Sequence, residues 1–365
     1  MDNDNLLIKK IKYILWRRKD MERIKQIHEL SENSNKIYLV GTPEYFNIGD
    51  HLIATAEHKY FKDYFPEYTI IEITKELLVG HFERAVQNIT SRDVIVITGG
   101  GFLGDLYPEM EKMIEKILNQ FNDNLIIFFP STVHFSGIDK NIRKKESLFA
   151  DLNNARNVIF FAREQRTYNM MSQYCGQNMT TFLVPDIALY YNVPYEYGHE
   201  KQNTVGVCIR TDKESSCNFG QIHLKVLEKY DVDYFSTVKS CEFLNPIKRK
   251  IYIDNFLKKV GSYKFVITDR LHCMIMCLLT KTPCVVFDNS TGKINGVYAL
   301  IKNNTYINMA YDYDDYITLT QKIDKNESIL NIEYDDSIEL FVNMTKILKQ
   351  AINGNNFARE KNESR

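Results

Sequence analysis

The feature that most restricts the fold is a rhythm of apolar runs. Short stretches rich in β-branched and aromatic residues recur along the 365-residue chain, separated by amphipathic stretches of helical period. Ile37-Tyr38-Leu39-Val40 is the first, and Thr69–Ile73, Val94–Thr98, Leu125–Phe129, Val158–Ala162 and Thr181–Val184 follow. Helical stretches such as Glu109–Phe121 and Arg163–Tyr174 lie between them. Strands apolar on both faces need helices on both faces, so the alternation predicts βαβ units around a parallel sheet. A polar, proline-containing segment at 191–204 breaks the rhythm, which restarts with Val205–Ile209, Tyr234–Val238, Phe265–Thr268, Cys284–Phe287 and Tyr306–Met309. The expected class is α/β, with Rossmann-like domains at 37–192 and 203–345. An N-terminal region at 1–36 precedes them; a last helix over Ser337–Ile352 follows, ending with a mobile polar tail inside 346–365.

Polar residues and glycines gather directly after the strands. They are Asn47, Gly49 and Asp50; Gly99, Gly100 and Gly101; Ser131, Thr132 and His134; Arg163, Glu164 and Arg166; Asp186; Arg210, Asp212 and Lys213; Arg270 and His272; and Asn289 to Lys293. In parallel sheets, ligands bind outside the carboxyl ends of the strands. Two domains presenting those ends to each other would form a cleft rich in arginine and lysine, so the expected ligand is an anion.

The stretch Lys264–Leu279 is the most pointed case. A buried strand stops at Thr268, Asp269-Arg270-Leu271-His272 follows, and an almost wholly apolar helix begins. Arg270 and His272 then sit where backbone N–H groups and the helix dipole favour anions. An arginine grips a carboxylate or phosphate with two parallel bonds, and a histidine moves protons near neutral pH. The plainer reading pairs Arg270 with a structural acid and uses His272 as a cap. Arg163 and Arg166 divide similarly: an anion clamp at a helix mouth, or an Arg163–Glu164 pair at a helix start. Asp50 either caps a helix beginning at His51, or holds a sugar hydroxyl or accepts a proton. Gly99–Gly104 formally matches G-x-G-x-x-G, but the next strand ends in Phe129-Pro130-Ser131, without the acid that holds a ribose. Close backbone approach explains these glycines more simply.

Several classes drop out. A net charge of −1 gives no case for nucleic acid. The seven cysteines form no CxxC pair and several lie in apolar runs, which fits buried thiols in a reducing compartment. Cys273 and Cys277 read as core, and no ligand set suggests a metal. With neither signal peptide nor apolar span, the expected location is cytoplasmic. The stretch Leu6–Lys19 is basic and amphipathic, with Trp16. It suits either peripheral contact with the inner face of an anionic membrane or, the preferred reading, a helix packed on the domain with solvated lysines.

These motifs together resemble the polysaccharide pyruvyl transferase family. N-I-G-D (Asn47–Asp50), G-G-G (Gly99–Gly101), A-R-E-Q-R-T (Ala162–Thr167), P-D-I-A (Pro185–Ala188), D-R-L-H (Asp269–His272) and the lysine of N-S-T-G-K (Asn289–Lys293) occur in the family's order, from about residue 37 to 300. The resemblance implies a GT-B-like fold, with two Rossmann-like domains whose parallel sheets face across a cleft. It implies transfer of the enolpyruvyl unit of phosphoenolpyruvate to two hydroxyls of a sugar, giving a cyclic pyruvate ketal. It assigns donor binding and catalysis to Arg270, Leu271, His272, Lys293 and Arg163, with Arg166 the other arginine able to serve. Asn47, Asp50, Gly100, Gly101, His134, Glu164, Arg166 and Arg210 become cleft or acceptor residues. No cofactor is implied beyond the donor. The partner is a sugar acceptor, with lipid-linked forms included, and the oligomeric state stays open. The alternatives are a nucleotide-sugar glycosyltransferase on the same frame and a non-enzymatic sugar-phosphate-binding protein.

Overall fold

The computed structural model describes residues 19–32, 35–136, 142–174, 178–198, 202–210, 227–302, 306–325 and 341–363. The basic stretch at 6–18, together with Asp212 and Lys213, lies outside the described residues. The first half runs α1 (Asp20–Leu30), β1 (Lys36–Thr42), β2 (Tyr45–Asn47), α2 (Ile48–Tyr64), β3 (Thr69–Thr74), α3 (Lys75–Val86), β4 (Val94–Ile97) and β5 (Gly100–Gly104). It continues with α4 (Pro108–Gln120), β6 (Leu125–His134), α5 (Ile142–Asn154), β7 (Asn157–Ala162), α6 (Gln165–Tyr174) and β8 (Met179–Leu183). The second half holds β9 (Thr204–Cys208), β10 (Asp231–Tyr234), β11 (Val238–Phe243), α7 (Arg249–Ser262), β12 (Phe265–Thr268) and α8 (Leu271–Leu279). Then come β13 (Cys284–Val286), α9 (Lys293–Ile301), β14 (Ile307–Met309), α10 (Tyr313–Asp324) and α11 (Val342–Glu363).

The strands form two parallel sheets, ordered β3-β1-β4-β6-β7-β8, with β5 beside the end of β6, and β10-β9-β12-β13-β14. All four residues of β4 and of β12 are buried, as strands covered on both faces require. The carboxyl ends of the two sheets face each other across a cleft, the GT-B-like α/β arrangement that the sequence suggested.

The two halves are not joined by a linker alone. β11 leaves the second sheet and pairs antiparallel with β2, Val238 opposite Asn47 and Phe243 opposite Tyr45. One apolar cluster runs from Leu52 and Tyr60 of α2, through Leu189 and Tyr190, to Ile253 of α7 and Met274 of α8. Helix α11 returns to the first half, where Phe341 packs edge-on against Tyr190 with ring centres 5.5 Å apart and Thr345 bonds the Tyr60 hydroxyl at 2.8 Å.

Three departures from the sequence reading have local causes. Tyr234–Val238 is not one strand: β10 stops at Tyr234 and β11 starts at Val238, because β11 takes β2 as its partner. The strands β2 and β5 are short or glycine-rich and carry no alternating apolar pattern. The last helix continues to Glu363, through the segment expected to be a mobile tail. Cys208, Cys273, Cys277 and Cys284 are buried free thiols, and no described helix is long and apolar enough to cross a membrane.

A part-buried ion pair ties the halves at the edge of the first sheet. Arg249 of α7 donates to Glu72 of β3 at 2.5 Å, and His58 lies 2.9 Å from the other carboxylate oxygen. Burial alone would raise the Glu72 carboxyl, but Arg249 and His58 hold it well below the carboxylate range. Arg249→Met leaves that charge without its main partner and should cost about 3 kcal/mol, the low end for breaking a buried pair. Urea denaturation of the variant beside wild type measures the loss.

Candidate active site

The turn after β12 is set by short-range bonds. The Thr268 hydroxyl donates to the Cys208 carbonyl at 2.6 Å and accepts from Arg270 N at 3.0 Å. The Asp269 carboxylate accepts from Arg210 N at 2.7 Å, which fixes the end of the neighbouring strand β9. Arg270 then stands in extended conformation at the cap of α8, and His272 occupies the helix's first turn.

Opposite them is the start of α2. Asn47 caps this helix, its side-chain oxygen accepting from Gly49 N at 3.1 Å. Asp50 therefore does not cap a helix beginning at His51; it lies in the first turn of a helix that starts at Ile48. Its Oδ2 accepts from the Tyr45 hydroxyl and the Asn47 amide, each at 2.8 Å. Burial and the Asp50 charge push the Tyr45 phenol well above its ordinary value, so it stays a donor to that carboxylate. Gly49 meets the second domain so closely that a Cβ there would lie 2.3 Å from His272 Nδ1. Only glycine admits the imidazole at that position.

Arg163, just past β7, is 1 % exposed. Its Nε donates to the Thr132 hydroxyl at 2.9 Å and its Nη1 to Asp186 at 2.5 Å. Asp186 Oδ2 also lies 3.8 Å from His272 Nε2, and Asp50 Oδ1 lies 4.0 Å from His272 Nδ1. The imidazole thus stands between two carboxylates of the first domain. Burial would raise the Asp186 carboxyl, but Arg163 and His272 hold it well below its usual range, so it stays ionised.

The glycine run closes this side. The buried Glu57 carboxylate accepts from Gly99 N at 2.7 Å and from the Thr98 hydroxyl at 2.8 Å. Gly100 follows at φ +136°, and a Cβ on Gly101 would lie 2.9 Å from Arg163 Nη2 and 3.5 Å from Lys293 Nζ. Lys293 opens α9 behind Gly292, whose φ of +71° turns the chain into the cleft. These glycines serve close approach of the backbone to Arg163, Lys293 and the neighbouring strand.

The result is a cavity of about 330 Å³ lined from both domains. Arg163, Arg210, Arg270, Leu271, His272, Lys293, Asn47, Asp50 and Gly101 line it, all singled out from sequence. Arg166, Glu164, His134 and Gly100 do not. Arg166 is exposed, donates to the Thr291 carbonyl at 3.2 Å and lies 2.9 Å from His134 Nδ1. Glu164 caps α6, accepting from Arg166 N at 2.7 Å and Thr167 N at 2.8 Å, so it forms no helix-start pair with Arg163. Of the two arginines, Arg163 is the one at the cavity. Lining residues the sequence reading missed are Tyr45, Lys75, Phe102, Tyr107, Met110, Thr237 and Val238. Lys75 carried a usable signal, since it directly follows strand β3 as the other site residues follow theirs. Asp186 was legible as one more strand-end acid and as part of the P-D-I-A motif, without a role.

Fold and site define a two-domain α/β protein of GT-B-like form with a cationic cleft at the carboxyl ends of its sheets. The polysaccharide pyruvyl transferase family profile matches residues 47–291, and the chain belongs to that family. It is 32 % identical to general stress protein 30 of Bacillus subtilis over 74 % of this chain and 78 % of that one. It is 24 % identical to pyruvyl transferase 1 of Schizosaccharomyces pombe over 83 % of this chain and 77 % of that one. The crystal structure of an uncharacterized Klebsiella pneumoniae protein, 22 % identical, superposes with a TM-score of 0.55 over 86 % of this chain and all of the other, and shares the fold.

Two predictions follow from this geometry. Gly49→Ala forces the His272 ring aside and should lower transferase turnover about 100-fold, the scale of a 1 Å displacement of a reacting group; turnover and Tm measured together separate this from unfolding. Burial, only partly offset by the Gly99 and Thr98 bonds, pushes the Glu57 carboxyl up to about 7. A raised carboxyl favours the fold at low pH, and that contribution is lost as pH rises through about 7. Glu57→Gln should therefore raise Tm at pH 8 and leave it nearly unchanged at pH 5, in paired thermal melts.

Proposed function

We propose that this protein moves the enolpyruvyl unit of phosphoenolpyruvate onto two hydroxyls of a sugar in an exopolysaccharide, capsule or cell-wall precursor, forming a cyclic pyruvate ketal and releasing phosphate. The observation that carries this reading is the convergence of Arg163, Arg210, Arg270 and Lys293 from both domains on one cavity beside His272. Phosphoenolpyruvate bears a carboxylate and a phosphate, and a cluster of fixed cations supplies charge for both. The family membership supports the same reaction class.

In this mechanism Arg270 is the main anion clamp and His272 the general acid and base. Protonation of the donor's methylene carbon makes C2 electrophilic, and a sugar hydroxyl adds there. The bond from C2 to the phosphate oxygen then breaks, and the second hydroxyl closes the ring at C2. Of the two hydroxyl protons, one replaces that given to the methylene carbon and one leaves with phosphate, so the balance closes. Asp186 and Asp50 flank the imidazole on either side. The charge comes from side chains, and the reaction so written uses no cofactor beyond the donor.

Phosphoenolpyruvate should raise the Tm of the wild-type protein, whereas UDP- and GDP-sugars should not. His272→Asn should keep that shift while phosphate release falls by about 10²–10⁴-fold, the usual worth of a positioned acid or base. Near-normal release by the folded variant would remove His272 from the mechanism, and a shift with nucleotide sugars alone would identify a glycosyltransferase instead.

A further inference from the structure

The cavity is chemically two-sided. Besides its arginines and Lys293, it is lined by three aromatic rings and by the Asp50 carboxylate. Phe102 and Tyr107 line it half-buried, with Met110 buried behind them. The Tyr45 ring also lines the cavity, with the Lys75 ammonium 5.5 Å from its centre. Asp50 joins the two sides, because its Oδ2 is held by Tyr45 and Asn47 while Oδ1 faces His272.

That last separation is informative. At 4.0 Å, Asp50 Oδ1 and His272 Nδ1 are too far apart for a direct hydrogen bond. One hydroxyl oxygen placed between them, however, would reach each at an ordinary hydrogen-bond distance of about 2.8 Å. A hydroxyl there stands beside the imidazole, at the border between the cationic and aromatic sides. Aromatic walls with a few fixed polar groups are what an amphipathic ring needs: C–H faces against the rings and hydroxyls toward the carboxylate.

We infer that the aromatic wall of Phe102 and Tyr107, with Asp50 held by Tyr45, is the acceptor subsite, and that it takes a pyranose ring with one hydroxyl seated between Asp50 and His272. This rests on the transfer reading above. Asp50 accepts the first hydroxyl's proton as the C–O bond to donor C2 forms and gives it up to the departing phosphate, while His272 supplies the methylene carbon's proton and is reprotonated by the second hydroxyl. Tyr45 is a positioning residue that acts through Asp50.

The test measures acceptor and donor binding separately. A panel of 4-nitrophenyl glycosides of glucose, galactose, mannose and N-acetylglucosamine is titrated calorimetrically into wild type, Tyr107→Ala and Asp50→Asn, and phosphoenolpyruvate-induced Tm shifts are recorded for each. The expected result is that at least one glycoside binds wild type and that Tyr107→Ala weakens it by about tenfold or more, as loss of a central aromatic contact does. The donor shift stays unchanged in both variants, which also shows that they fold. Asp50→Asn should lower turnover about 100-fold at saturating donor. Equal glycoside affinity in wild type and Tyr107→Ala, or no glycoside bound by wild type, overturns the subsite. Glycoside binding without any donor shift leaves the subsite standing and sinks the phosphoenolpyruvate reading instead.

Discussion

A guanidinium buried to 1 % exposure is tolerable only if paired, since desolvating an unpaired charge costs several kcal/mol. Asp186 is the partner that makes Arg163 possible, and much of the site's geometry descends from that pair. It fixes Arg163 between the Thr132 hydroxyl and the glycine run, where Lys293 approaches from the other domain. The same carboxylate faces His272, so one buried acid stands against both Arg163 and His272, the groups proposed to bind the anion and move the proton. A carboxylate held ionised by its neighbours keeps this role over the whole working pH range.

The second constraint is that the two domains meet as packed bodies. The β2–β11 pair, the shared apolar cluster and the return of α11 leave the cleft walls continuous with the core. Close contacts at the site use glycine in place of a mobile linker: Gly49 against His272, and Gly101 against Arg163 and Lys293. Gly296 of α9 likewise sits against Glu164, where a Cβ would come within 2.9 Å of that side chain's own Cβ. Such packing preorganises charge, which is what the proposed transfer from an anionic donor requires.

Much of this was legible in the sequence because the strands are apolar on both faces and the chemistry sits at their ends. Runs such as Val94–Ile97 and Phe265–Thr268 mark buried parallel strands, and the residues after them fall at one rim of each sheet. What stayed hidden depends on contacts distant in sequence. Nothing local distinguishes Arg163 from Arg166; burial against Asp186, twenty-three residues on, places one in the cavity, while the other bonds the Thr291 carbonyl. Asp50 read equally well as a cap, because the choice turned on where α2 begins and on Asn47 taking that role. Tyr107 and Thr237 belong to connections between elements, where no periodicity marks a lining residue. The crossing of β11 to β2 rests on a pairing of very short strands that no local pattern encodes.

The central claim is that cations from both domains hold one doubly charged donor with its methylene carbon toward His272. A crystal structure of the protein soaked with phosphoenolpyruvate tests it most directly. The account predicts the ligand in the cleft, its carboxylate and phosphate within about 3 Å of guanidinium or ammonium nitrogens from Arg163, Arg270 or Lys293, and its C3 on the imidazole side. Phosphoenolpyruvate bound at another surface, or in the cleft with its phosphate turned onto His272 and its methylene carbon toward the aromatic wall, would contradict it.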